Sequence, residues 1–275
     1  MSEAVIPKTI HYCWFGESDF GELELACMES WKRFCPGYEI KKWDETNFDI
    51  ECNEFVSGAY RQGKWAFVSD FARFKILYEE GGVYLDTDVE LVKNLDDLID
   101  EGAYLGYEVD PDEATGVNGA LASGLGMAFP AHDPFVAKVL ESYERIEFPE
   151  TGNLGDYTVV RMVTKLLESE GLKPVVEGQR VAGVRLLPQR YLNPMDRFTG
   201  GIDIDEDTVS IHHYSASWVS KSARMELALS SKFIRMGLPR RRALALSKVL
   251  AVVCCLDFAR MRSFAARGSH GKAKE

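Results

Sequence analysis

Between Ala66 and Glu90 the sequence concentrates side chains whose types and spacing could do chemistry. On a helical wheel, Phe67, Phe71, Phe74, Leu77 and Tyr78 of the segment Lys64 to Glu80 share one apolar arc, with Asp70 inside that arc and Arg73 at its edge. A carboxylate facing a core is costly unless it is paired or serves a ligand. A plain Asp70–Arg73 pair at i, i+3, tying the helix to a sheet, is one account. A few residues on, Gly-Gly-Val-Tyr-Leu-Asp-Thr-Asp sets Asp86 and Asp88 just beyond the carboxyl end of an apolar strand, where open α/β sheets hold their ligands. Strand alternation predicts that the two carboxylates project to one side and share a hard cation, Mn²⁺ or Mg²⁺. Taken alone, a D-x-D is more often a solvated acidic turn. Two other motifs fail on spacing. A calcium-binding EF-hand loop needs Gly at its sixth position, which is Leu91 here. An aspartyl-phosphate phosphatase would want Thr or Val where Glu90 stands.

The elements that must position these groups alternate between strand and helix. Val5 to Phe15 reads as a strand ending at Gly16, Glu22 to Phe34 as a helix stopped by Pro36-Gly37, and Tyr38 to Trp43 as a second strand. Phe48 to Gln62 reads as an irregular helix. Lys64 to Glu80 is the clearest helix, closed by Gly81-Gly82 and followed by the buried strand Val83 to Leu85. Further strands are expected at Tyr104 to Glu108, Gly126 to Phe129, Val184 to Leu187 and Val209 to His213. Helices are expected at Pro134 to Arg145 and Asp156 to Ser169, with Asp156 as the N-cap of the second. The pattern predicts an α/β sandwich with a mainly parallel sheet.

The net charge of -11 excludes a nucleic-acid binder, which needs excess Lys and Arg. The charge is divided: residues 221–275 carry +10 and residues 1–220 carry -21. A domain of residues 1–220 followed by a basic helical tail of residues 221–275 is therefore expected, with the boundary near Trp218. In the tail, Arg240-Arg-Arg precedes an apolar run, Ala243 to Ala259, that Lys248 and Asp257 interrupt. It is too short and too charged to span a bilayer. It reads either as a helix lying on an anionic membrane or as a flap packed on the domain. Six cysteines without C-x-x-C spacing and the absence of a signal-like N-terminus predict a reduced chain in the cytoplasm, peripheral to the membrane if the tail binds lipid.

Ala66-Phe-Val-Ser-Asp-Phe-Ala-Arg73, Leu77 and Gly81 to Val89 together resemble the signature of glycosyltransferase family 32, the D-x-D-containing sugar-binding-region enzymes, and are similar to the glucosyltransferase domains of large clostridial toxins. The resemblance implies a GT-A fold, with a Rossmann-like sheet flanked by helices. It also implies a nucleotide-sugar donor, a divalent metal, and a saccharide or lipid-linked acceptor in polysaccharide or capsule synthesis, with retention of configuration. It implies that Asp86 contacts ribose and donor sugar, that Asp88 binds metal, that Asp70 and Arg73 grip sugar hydroxyls and the diphosphate side, and that Tyr84 lines the pocket. Ile6-Pro-Lys-Thr-Ile-His-Tyr-Cys-Trp-Phe-Gly is similar to the family's first strand and implies that Trp14 stacks on the base, favouring a UDP-sugar. Without that context Trp14 reads as core. His212-His-Tyr-Ser-Ala-Ser-Trp218 resembles the family's closing loop. There His213 is the expected metal ligand and His212 the alternative, with Ser217 and Trp218 closing over the diphosphate. Asn118 resembles the family's sugar-holding Asn. Two other classes stay open: a metal-dependent phosphohydrolase, and a saccharide-binding protein without turnover.

Overall fold

The structure is a computed structural model that describes residues 5–150, 154–196, 201–215 and 221–255. The chain falls into two compact units, one of residues 1–194 and 203–215, the other of residues 195–202 and 216–275.

In the first unit the elements follow in the order β1 (Thr9–Cys13), α1 (Glu22–Phe34), β2 (Glu39–Trp43), α2 (Glu54–Arg61), α3 (Trp65–Glu80), β3 (Gly82–Tyr84), β4 (Val89–Leu91), α4 (Asp96–Asp100), β5 (Tyr104–Val109), β6 (Ala120–Phe129), α5 (Pro134–Tyr143), α6 (Val159–Ser169), β7 (Arg180–Val181), β8 (Val184–Leu187), α7 (Gln189–Leu192) and β9 (Ser210–His212). Seven strands form one sheet in the order β2-β1-β3-β6-β5-β8-β7, and β4 pairs with β9 in a small antiparallel ribbon. β6 and β7 run against the other five strands of the large sheet, so the sheet is mixed with one dominant direction.

Strand alternation sends side chains to two cores. Tyr84, Leu105, Met127 and Phe129 join the aromatic core under α2, α3, α5 and α6, while Val83, Leu85, Tyr104 and Ala128 join a second core with Trp31 of α1 and Leu98 of α4. The result is the α/β sandwich expected of a GT-A type chain.

α3 is buried on most of its circumference, from Phe67 and Val68 through Phe74, Ile76 and Leu77. It stops at Gly81, which has φ +68 and whose N–H donates to the Leu77 carbonyl at 2.9 Å. Gly82 follows at φ +110, and a Cβ there would meet the Thr9 carbonyl oxygen at 2.8 Å. The glycine pair thus reverses the chain within contact of β1, so β3 enters the sheet beside it. Asp156 is not the cap of α6: it lies in a 3₁₀ turn, Leu154–Tyr157, and pairs with Arg161, while Thr158 holds the N-cap position. β6 is longer than its sequence pattern suggests.

The second unit contains the helices α8 (Lys221–Arg235) and α9 (Arg240–Cys254), joined through a turn at Gly237.

Candidate active site

β3 ends at Tyr84, and Asp86-Thr87-Asp88 follows as a turn closed by the Val89 N–H on the Asp86 carbonyl at 3.1 Å. The two carboxylates converge because the chain turns here, which corrects the strand-alternation account. The turn is fastened on both sides. The Asp86 N–H donates to the Gly124 carbonyl, and α1 holds β4 through Trp31 Nε1 on the Val89 carbonyl at 2.7 Å.

β9 then delivers an imidazole. It pairs with β4 so that His212 faces Val89, and the His213 N–H donates to the Asp88 carbonyl. Oxygens of Asp86 and Asp88 and a ring nitrogen of His212 lie within 4.8 Å of one another. His212 Nε2 is 3.2 Å from Asp88 Oδ1, and the Ser215 N–H donates to Asp88 Oδ2 at 2.8 Å. His213 is not in this cluster: it points to Glu90, with Nε2 2.8 Å from Oε2. The sequence argument put His213 on the face shared by Val209 and Ile211. That face is the apolar one, and alternation along β9 leaves His212 on the side of the aspartates.

Asp86 is oriented from beneath. Arg73 reaches it at 3.1 Å and Asp70 at 3.2 Å through Nη2, while its Nε donates to the Ser69 carbonyl and its Nη1 to Ser123 Oγ. Its guanidinium also lies over the Tyr84 ring, and the Tyr84 hydroxyl donates to Asp86 Oδ1 at 3.0 Å. All three guanidinium nitrogens are engaged by the chain itself and the side chain is only 6% exposed, so Arg73 sets the position of Asp86. Tyr84, fully buried, does the same and does not line an open pocket. Asp86 is the member that faces out, with its side chain 30% exposed.

Two contributors had no mark in the sequence reading. β6 leaves its register with β5 between the Leu105–Met127 and Gly106–Ala122 pairs, so residues 123–126 loop out of the ladder, and this bulge brings Ser123 to Arg73 and Gly124 to Asp86. A Cβ on Gly124 would stand 2.0 Å from Asp86 Oδ2. The signal was present in Ser123-Gly-Leu-Gly126, since paired glycines inside an apolar run mark a bulge or a close approach.

The electrostatics sort the three carboxylates. Burial raises Asp70 to about 6, against the pull of Arg73 and of the Val159 N–H at the start of α6. Burial also raises Asp86, with Arg73 opposing and Asp88 adding to the rise. Asp88 is buried too, yet the facing His212 and the Ser215 N–H outweigh burial and hold it well below the usual carboxylate range. Burial lowers His212, but Asp88 more than compensates and the net shift is upward. A buried anion beside an imidazole, with a second carboxylate facing out, is a donor set suited to a divalent cation. His212 Nδ1 is buried and has no hydrogen-bond partner among the described residues.

Of the other expected residues, Trp14 follows the end of β1, whose register with β3 sets it at the same sheet edge as Asp86. It is half-buried, packs at 4.5 Å on Phe20 and donates from Nε1 to the Ser18 carbonyl, so it is not a core residue. Asn118 Nδ2 donates to Glu168 Oε1 at 3.1 Å, on α6, rather than to any described residue of the cluster. Ser217 and Trp218 lie outside the described residues.

A carboxylate pair and an imidazole stand at the carboxyl edge of a mostly one-directional sheet, the place where open α/β sheets hold polar ligands. Residues 21–105 match the family described as glycosyltransferase sugar-binding region containing DXD motif, a stretch that runs from α1 through Asp70, Arg73, Asp86 and Asp88. The match ends before Asn118 and the histidine pair. Among known proteins, the chain is 28% identical over 153 residues to inositol phosphoceramide mannosyltransferase 3 of Schizosaccharomyces pombe, covering 53% of this chain and 39% of that one. It is 28% identical over 127 residues to the initiation-specific alpha-1,6-mannosyltransferase of Candida albicans, covering 38% and 33%. The alignments thus span well under two thirds of these relatives. Among solved structures, the PaToxG glycosyltransferase superposes with a TM-score of 0.44 at 18% identity, over 60% of this chain and 70% of that one.

Proposed function

We propose that the protein is a glycosyltransferase that takes a hexose from a nucleotide-diphosphate sugar and adds it, with retention, to a saccharide or lipid-linked acceptor. The observation that carries this is the convergence of Asp86, Asp88 and His212 at the edge of the sheet, inside the matched sugar-binding region. Asp86, Asp88 and His212 would hold Mn²⁺ or Mg²⁺, which when bound neutralises charge on the departing nucleoside diphosphate. Arg73, Tyr84 and Asp70 fix the outward carboxylate of Asp86, so that no reorganisation is needed when the donor arrives. Asp86 accepts hydrogen bonds from donor hydroxyls on its exposed side. Trp14, at the same edge, offers an aromatic face to the base, which favours a uridine donor. The names of the two relatives add a mannose donor to those worth testing. A place in polysaccharide or capsule assembly on the cytoplasmic side of a membrane follows from such an acceptor, and six free cysteines fit a reducing compartment.

The test is a panel of uridine- and guanosine-diphosphate sugars with Mn²⁺, following nucleoside diphosphate release with and without oligosaccharide acceptors. Release of nucleoside diphosphate from one sugar class, quickened by acceptor, supports the reading. Release of inorganic phosphate from simple esters would make the protein a phosphohydrolase, and donor binding without turnover would make it a saccharide-binding protein.

A further inference from the structure

α9 is packed inside out. Its buried positions are Ala243, Ser247, Ala251 and Val252, three of them small, whereas Leu246, Val249, Leu250 and Val253 are 43%, 58%, 36% and 52% exposed. At 100° per residue these four aliphatic side chains fall in one arc of about 100°, and Arg242 falls in the same arc one turn before Leu246. A helix that only had to stabilise its own hairpin would bury the large aliphatics and expose the small residues. This one does the reverse, which leaves a continuous apolar strip on the outside.

We propose that this strip is a docking surface for an anionic lipid bilayer. Charge selects the occupant. α9 carries Arg240, Arg241, Arg242 and Lys248 and no acidic residue, and residues 221–275 carry +10. Two such faces brought together in a second copy would repel, whereas a surface of anionic headgroups neutralises each arginine while the acyl region receives the aliphatic strip. No described helix is long and apolar enough to cross a membrane, so the helix lies in the interface. The inference does not depend on the enzymatic reading, because binding to lipid can be measured without substrate.

The experiment is co-sedimentation of the full chain with vesicles of phosphatidylcholine containing about a third phosphatidylglycerol, and with phosphatidylcholine alone, at two salt concentrations. The full chain is expected to partition onto the anionic vesicles, less so as salt rises, and scarcely onto the neutral ones. The pair Val249→Asp with Val253→Asp should lower partition at least tenfold. The triple change Arg240→Gln, Arg241→Gln and Arg242→Gln, confined to exposed side chains and so compatible with folding, should lower it on the order of a hundredfold. Equal partition of either variant and the unaltered chain, or no partition of the unaltered chain, overturns the proposal. So does a concentration-dependent dimer in sedimentation velocity that Val249→Asp dissolves, since the strip would then belong to a second copy.

Discussion

In the proposed reaction Asp88 is the residue on which the chemistry turns, because it is buried, held ionised and faced by His212. Asp88→Asn keeps its size and removes its charge, so nucleoside diphosphate release should fall by about 10²–10³ at saturating metal while the fold persists. Near-normal, metal-independent transfer would sink the mechanism. The two histidines separate next. His212→Ala should raise the metal concentration needed for half-maximal rate, and His213→Ala should leave it nearly unchanged because that ring contacts Glu90. The opposite ranking would restore the sequence reading. Gly124→Ala should cost at least tenfold in turnover without loss of cooperative melting, because the added methyl displaces the Asp86 carboxylate. These cases show what was legible at this scale. Asp70, Arg73, Asp86 and Asp88 stand close in sequence and were found together. The hold of Arg73 on Ser69, Ser123, Asp70 and Asp86 was only partly legible, since a sequence shows the i, i+3 pair with Asp70 but not the partners brought by β3 and β6. The choice between His212 and His213 depended on which face of a three-residue strand is buried, and no periodicity fixes that over so short a run.

Among the elements, those with strong period or punctuation were legible and those shaped by pairing were not. α1 begins at Glu22 and ends at Phe34, and α3 runs to the glycines that stop it, as the sequence pattern indicates. β6 was read only from Gly126, because Ala120-Leu-Ala-Ser-Gly-Leu-Gly has little strand propensity; neighbours on both sides and burial hold it extended. α2 begins at Glu54, where the Asn53 side chain accepts from the Phe55 N–H, rather than at Phe48. His11 shows how the first elements are fastened. Its Nδ1 accepts from Trp43 Nε1 at 3.1 Å and its Nε2 donates to the Gly81 carbonyl at 2.9 Å, so a neutral ring clips β1 to β2 and to the reversal after α3. Burial is the main reason its pKa lies below 6.5. A base depressed on folding binds more protons when unfolded, so its stabilisation is present above about pH 6.5 and is lost as pH falls through the folded value. In urea unfolding between pH 7.5 and 5 this loss is superimposed on gains from Asp70 and His212, whose values are raised on folding, so it is read as the part of the profile that depends on His11. His11→Gln, which retains a donor and an acceptor, should flatten that part of the profile, and an unchanged slope would refute the assignment.

For the whole molecule, the described members of both hydrophobic cores of the first unit fall within residues 6–209, and the described groups of the acidic site fall within residues 69–215. The charge is partitioned along the same chain, -21 before residue 221 and +10 after it. A chain ended after Ser220 should therefore keep one cooperative unfolding transition, and its melting temperature should still rise on adding Mn²⁺ with UDP, since a ligand that binds only the folded state stabilises it by mass action. Removing the basic residues uncovers the full acidic charge, so the shortened chain should be less stable than the full chain at low salt and approach it near 0.5 M, where the Debye length is only a few ångströms. Residues 195–202 belong with residues 216–275 in the second compact unit, so limited proteolysis of the shortened chain should begin in that segment while the sheet resists. Loss of both the transition and the ligand-induced shift on truncation would mean that the first unit does not fold on its own cores. Retention of both, with cleavage at 195–202, would establish the acidic α/β part as the unit that carries the site.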